Sequence, residues 1–262
     1  MAERVGGSRV EVSSLTKPGA EPHDLELTPR DVAGVQDADL VVYLSGFQPA
    51  VDDAVKEAPG TVFDARKPAD LDLTFTPIEE GTAAKGESGT TDPHFWLDPT
   101  RLARVARSFA ATLAQADEAH AATYQANAKA MVAKLNALDQ DYRDGLRSCA
   151  NKDLVTSHNA FGYLARRYGL KQVGITGLTP EAEPSSGDLG RIADFVKARH
   201  VKTIYFETLV SPAIARTVAR ESVAHTEVLD PIEGLNDRSQ GANYLEVMRS
   251  NLANLRSGQP CR

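Results

Sequence analysis

PTRLARVARSFAATLAQADEAHAATYQANAKAMVAKLNALDQDYRDGLR, residues 99–147, decides the fold of this chain. Glycine and proline are almost absent, alanine is abundant, and apolar side chains recur at helical spacing: Leu102, Val105, Ala106, Phe109 and Leu113, then Tyr124, Met131, Leu135 and Leu138. The pattern predicts two helices, the second long and interrupted only near its end by Gly145. On both sides the rhythm changes to short apolar runs alternating with helical stretches. Before the helices, residues 10–15, 40–44 and 62–64 read as strands. After them, residues 154–156, 173–175, 203–206 and 227–229 do, with helices starting near Ala160, Asp188, Pro212 and Ala242. Such alternation implies parallel α/β structure. The predicted plan is an α/β lobe (1–116), a long linking helix (117–148) and a second α/β lobe (149–262). Thr28-Pro29, Asp98-Pro99 and Ser211-Pro212 read as helix starts, a capping side chain before a proline whose missing N–H costs nothing there. Gly169 reads as a helix stop.

Composition narrows the function classes. The 262 residues are 42% hydrophobic, enough for a substantial core, and 29 basic against 36 acidic side chains give a net charge of −7. A nucleic-acid partner is excluded by that balance. No run of apolar residues is long enough to span a bilayer, and Met1 to Gly7 lack the apolar stretch of an export signal. The two cysteines, Cys149 and Cys261, form no CxxC pair, which excludes a zinc finger and leaves a single disulfide open. Residues 70–92, rich in acidic, glycine and hydroxyl side chains, read as a mobile surface loop.

Chemistry concentrates at four places. His23 and His94 lie in the similar stretches Glu21-Pro22-His23 and Asp92-Pro93-His94, His158 follows the strand ending at Thr156, and Asp230 ends another strand before Pro231. Side chains at the carboxyl ends of parallel strands face the crevice where ligands bind. The four are too distant along the chain for a local metal clip, so only folding could assemble them. Three imidazoles and a carboxylate make a borderline donor set suited to four-coordinate zinc, whereas calcium and magnesium want mainly oxygen. Each ligating imidazole needs an acceptor for its other N–H, for which Glu21, Asp92 and Glu207 are the candidates. Against this stand plainer readings: a solvated histidine beside proline, and Asp230 as a turn or cap residue. His120, His200 and His225 read as structural or exposed. Motifs for serine hydrolases, zincins, P-loops and dinucleotide binding are absent. A metal-dependent hydrolase is the competing class, but it needs an open coordination position that four protein ligands would fill.

LTKPGAEPHDLELTP (15–29), DADLVVY (37–43), DPHFWLDP (92–99), SHNAFGYL (157–164) and VLDP (228–231), in this order, resemble the metal-binding receptors of ABC importers. The family is the cluster A-I, or TroA-like, solute-binding proteins, with most similarity to the zinc (ZnuA-like) branch. The resemblance implies two Rossmann-like lobes joined by one long rigid helix, with metal in the cleft between them. It implies that His23, His94, His158 and Asp230 are the ligands. His158 stands where manganese receptors tend to carry Glu, which favours Zn2+ as the transported ion over a manganese or iron cargo. Asp230 occupies the most variable ligand position. Implied partners are an ABC permease and a metallochaperone. The receptor would be a monomer outside the cytoplasm, in the periplasm or held at the cell surface by a lipid anchor, and adhesins use the same fold. Three features depart from the branch. The loop before His94 lacks histidine, leaving Glu79, Glu80 and Glu87 to attract cations. The first strand and export signal are missing before Val5, as in a truncated or mis-started chain. Some branch members carry a disulfide in the second lobe, which Cys149 and Cys261 could supply.

Overall fold

A computed structural model describes residues 1–76 and 88–261. The chain forms two compact units, Met1–Leu71 with Pro99–Asp139, and Asp72–Asp98 with Gln140–Arg262.

In the first unit two short helices, α1 (Ala2–Gly6) and later α4 (Arg66–Ala69), flank a small βα arrangement. Helix α2 (Pro29–Asp37) starts as predicted: the Thr28 hydroxyl accepts from the Asp31 N–H while the Asp31 carboxylate accepts from the Thr28 N–H at 2.8 Å. Strands β1 (Leu40–Tyr43) and β2 (Thr61–Asp64) pair in parallel, with α3 (Pro49–Lys56) as the crossover. Val35, Val41, Val51, Ala54 and Val55 form the core beneath them. Helix α5 (Pro99–Ala116) buries Leu102, Val105, Phe109 and Leu113, the stripe expected from their spacing, and Phe109 meets Phe63 edge-on at 5.3 Å. A 3-10 turn then leads into the long helix α6 (Ala121–Leu146). Residues 10–15 are not a strand. Glu11 to Ser14 are exposed, and among the described residues they have no ladder partner.

The second unit is a four-stranded parallel sheet in the order β4–β3–β5–β6, made of β3 (Asp153–Thr156), β4 (Lys171–Gly174), β5 (Thr203–Phe206) and β6 (His225–Val228). Helices α7 (Gly162–Tyr168), α8 (Ser186–Ala198) and α9 (Ala213–Ser222) form the crossovers, and α10 (Tyr244–Gly258) follows β6. Val155, Val173, Ile192, Val196, Ile204 and Val218 fill the core, and β3 is buried along its whole length and β5 along most of it, as central parallel strands covered on both faces are. Helix α7 stops at Gly169, with φ 70°, as predicted. Near the end of α6, a Cβ on Gly145 would lie 3.0 Å from Leu252, so glycine there lets α10 approach closely. Cys149 and Cys261 form the expected disulfide, joining the segment before β3 to the one after α10.

Residues 72–76 and 88–98 pack with the second unit, not with the continuous 1–116 lobe expected from the sequence. The reason is hydrogen bonding to α7: the Leu73 N–H donates to the Tyr163 hydroxyl at 3.3 Å, that hydroxyl donates to the Asp92 carbonyl at 3.2 Å, and Arg166 donates to the Asp72 carboxylate at 2.6 Å. The described ends of the predicted mobile loop are therefore paired, while Glu79, Glu80 and Glu87 lie outside the described residues. Among the described residues no helix is long and apolar enough to cross a membrane.

Candidate metal centre

The sheet order reverses between β3 and β5, and ligands of parallel α/β sheets gather at such a point, outside the carboxyl ends of the strands. His158 follows β3, Glu207 ends the β5 exit, and the segment after β6 carries Asp230 and Glu233. The Thr156 hydroxyl donates to the His158 carbonyl at 2.6 Å, and Gln172 of β4 donates to the same oxygen at 3.1 Å, fixing the backbone from which the imidazole projects.

Two imidazoles and one carboxylate converge. Nε2 of His94, Nε2 of His158 and one oxygen of Glu233 all lie within 4.8 Å of one another, and Glu233 Oε1 stands 2.8 Å from His94 Nε2 and 3.5 Å from His158 Nε2. Each imidazole is held from behind. His94 Nδ1 bonds Asp92 Oδ1 at 2.8 Å, which also accepts the His94 N–H. His158 Nδ1 bonds Glu207 Oε1 at 2.7 Å, which also accepts from the Ser157 hydroxyl. These carboxylates fix the tautomer that aims each Nε2 inward and make it a better donor. Asp92 is seated against α7, where a Cβ on Gly162 would lie 2.5 Å from its Oδ2.

Both rings are buried, as are all three carboxylates. With neutral imidazoles the cluster holds three negative charges away from water, an arrangement that demands a cation or protons. Burial by itself lowers the pKa of both rings. The carboxylates outweigh it: hydrogen bonds from Asp92 and Glu233 raise His94, and the charges of Glu207 and Glu233 lift His158 well above the ordinary imidazole value.

The segments bearing the donors are tied together. Trp96 Nε1 donates to the Pro231 carbonyl at 2.7 Å, and the Tyr244 hydroxyl donates to the Trp96 carbonyl at 2.8 Å.

Of the residues singled out from the sequence, His94 and His158 share the cluster, and Asp92 and Glu207 hold them as expected. Asp230 is not one of the converging donors: its Oδ1 accepts from the Ile232 N–H at 2.8 Å and its Oδ2 from the Thr208 hydroxyl at 3.1 Å, and burial raises its pKa. The carboxylate beside the two imidazoles is that of Glu233, which was not singled out from the sequence. Its only signal was a second acid just beyond the strand-ending Asp-Pro pair. His23 belongs to the first unit, where its ring meets Phe47 edge-on at 4.9 Å. Glu21 Oε1 accepts the backbone N–H of His23 at 3.0 Å, a turn bond in addition to any role toward the ring.

A parallel α/β unit presenting paired imidazoles and a carboxylate at its switch point defines a protein equipped to hold a divalent metal ion. The chain belongs to the family described as zinc-uptake complex component A, periplasmic, whose profile matches residues 1–258. It is 38% identical over 257 residues to the high-affinity zinc uptake system protein ZnuA of Bacillus subtilis, covering 92% of this chain and 78% of that protein. Its structure is similar to that of the laminin-binding protein Lmb of Streptococcus agalactiae, described as having adhesin and metal-transporting activity, with TM-score 0.86, 36% identity and coverage of 98% and 94%. It is also similar to the Zn(II)-bound ZnuA-like domain of AdcA from Streptococcus pneumoniae, with TM-score 0.81, 34% identity and the same coverage. The zinc-binding lipoprotein AdcA of that species is longer, and the chain spans 52% of it.

Proposed function

We propose that this chain is the extracytoplasmic receptor that captures Zn2+ and delivers it to the permease of an ABC importer. The observation that carries the reading is the convergence of His94 Nε2, His158 Nε2 and the Glu233 carboxylate, with Asp92 and Glu207 behind the two rings. Two nitrogens and one oxygen are a borderline set that suits zinc better than the oxygen-seeking divalent ions. His23, with its similar acid-Pro-His setting, supplies the remaining imidazole in this proposal, and four donors then fill a tetrahedral site. A filled tetrahedron leaves no open position for a catalytic water, which separates a receptor from a metal-dependent hydrolase.

Scavenging a trace ion calls for nanomolar affinity or better, about 12 kcal/mol. The same reading has the receptor act as a monomer and accept zinc from a metallochaperone. The deciding experiment is elemental analysis of protein purified without added metal, followed by competition calorimetry of wild type and His158→Ala. Zinc near one equivalent and a loss of affinity of about 100-fold or more in the variant support the reading. An unaltered affinity in the variant, or another ion bound in preference, refutes it.

A further inference from the structure

Asp230 is buried, and its carboxylate is held by groups of the same unit, the Ser239 side chain among them. Beyond its carboxylate bonds to the Ile232 N–H and the Thr208 hydroxyl, its backbone is clamped by the Asn251 amide, which accepts from the Asp230 N–H at 2.9 Å and donates to its carbonyl at 2.7 Å. The next carbonyl, that of Pro231, is held by Trp96. Ile232 has φ 58°, the left-handed region, where a β-branched side chain is strained. Strained backbone persists only where its surroundings over-determine it, and it clusters at functional sites. The residue that follows is Glu233, whose buried carboxylate meets both imidazoles.

We propose that Asp230 is a positioning residue: it braces the left-handed turn at Ile232 and thereby aims Glu233 at the metal, without touching the metal itself. The brace reaches back to the β5 exit, where Glu207 orients His158 and the adjacent Thr208 holds Asp230. One strand end thus sets the direction of two donors. An extended Ile232 would relieve its own strain and turn Glu233 away.

This inference rests on the receptor reading, so its test has one arm that needs no metal. In chelator-treated protein, hydrogen exchange at the Ile232 amide should be faster in Asp230→Ala and close to wild type in Asp230→Asn, whose side-chain oxygen can still accept that N–H. In zinc competition, Asp230→Ala should bind about 10- to 100-fold more weakly, as loss of an outer support does, and Asp230→Asn should restore most of the affinity. In a Glu233→Gln background Asp230→Ala should add little, because the two act through one donor. If Asp230→Ala fails to fold, Thr208→Val removes one brace only, and should weaken zinc several-fold with the same dependence on Glu233. Equal damage from Asn and Ala, adding fully to Glu233→Gln, would make Asp230 a ligand and overturn the proposal. Normal Ile232 exchange, or lower melting temperature with unchanged zinc affinity, would overturn it as well. A wild type that binds no zinc while Ile232 exchange responds as described would sink the receptor reading and leave the brace standing.

Discussion

Replacing Glu207 by Gln tests how the carboxylate behind His158 acts, because the amide keeps the hydrogen bond and removes the charge. Glu207 Oε1 accepts from His158 Nδ1 at 2.7 Å and from Ser157 at 2.8 Å, and Glu207 is buried. A hydrogen bond to a charged partner is worth roughly 1 to 1.5 kcal/mol more than a neutral one, so zinc affinity at pH 8 should fall about tenfold. A second effect opposes the first. In the metal-free wild type the charges of Glu207 and Glu233 overcome burial and keep His158 protonated well above the ordinary imidazole pKa, so zinc competes with a proton there. Without the Glu207 charge that competition starts at lower pH. The affinity deficit of the variant should therefore be largest at pH 8 and shrink as pH falls, with a shallower pH slope than wild type. Zinc calorimetry against a competing chelator between pH 5.5 and 8 reads both quantities. Equal affinity at pH 8, or two parallel pH profiles, would refute the account of Glu207.

Zinc should raise thermal stability by mass action, by about 2.7 kcal/mol at a free concentration 100 times Kd, and a melting curve indifferent to zinc and chelator would contradict the site. Reducing the Cys149–Cys261 disulfide, whose sequence separation is 112, removes a loop constraint worth roughly 4 to 5 kcal/mol in the chain-entropy model; denaturant unfolding of a Cys149→Ser, Cys261→Ser double variant should show most of that loss. Because the folded pKa of His158 lies above its unfolded value of about 6.5, metal-free protein gains from that ring fully below pH 6.5 and loses the gain as pH rises through the folded value. Melting of chelator-treated protein should accordingly fall across that window, and a His158→Gln variant should flatten the slope; an unchanged slope would count against the buried imidazolium.

The helices of residues 99–147 and the strands of the second unit were legible because each element's period matches the face it buries. The imidazole pair was legible too, since His94 and His158 carry their motifs locally and parallel strands put ligands at their carboxyl ends. Three features were hidden by tertiary structure. Residues 10–15 have strand-like composition and no strand to pair with among the described residues. Residues 72–76 and 88–98 pair through Thr74 and Thr91 and hydrogen-bond to Tyr163, contacts that no local pattern announces. Glu233 was hidden by a single torsion: a β-branched residue is the least expected occupant of a left-handed position, so nothing local announced the turn at Ile232 that precedes it.

The indole of Trp96 and the phenol of Tyr244 sit beside the donors and coordinate nothing, yet they stitch the stretch bearing His94 to the one bearing Glu233. The gap into which an ion must fit is thus gauged by two aromatic rings. A change at either ring would therefore be felt in the spacing of the donors while leaving every donor atom in the sequence.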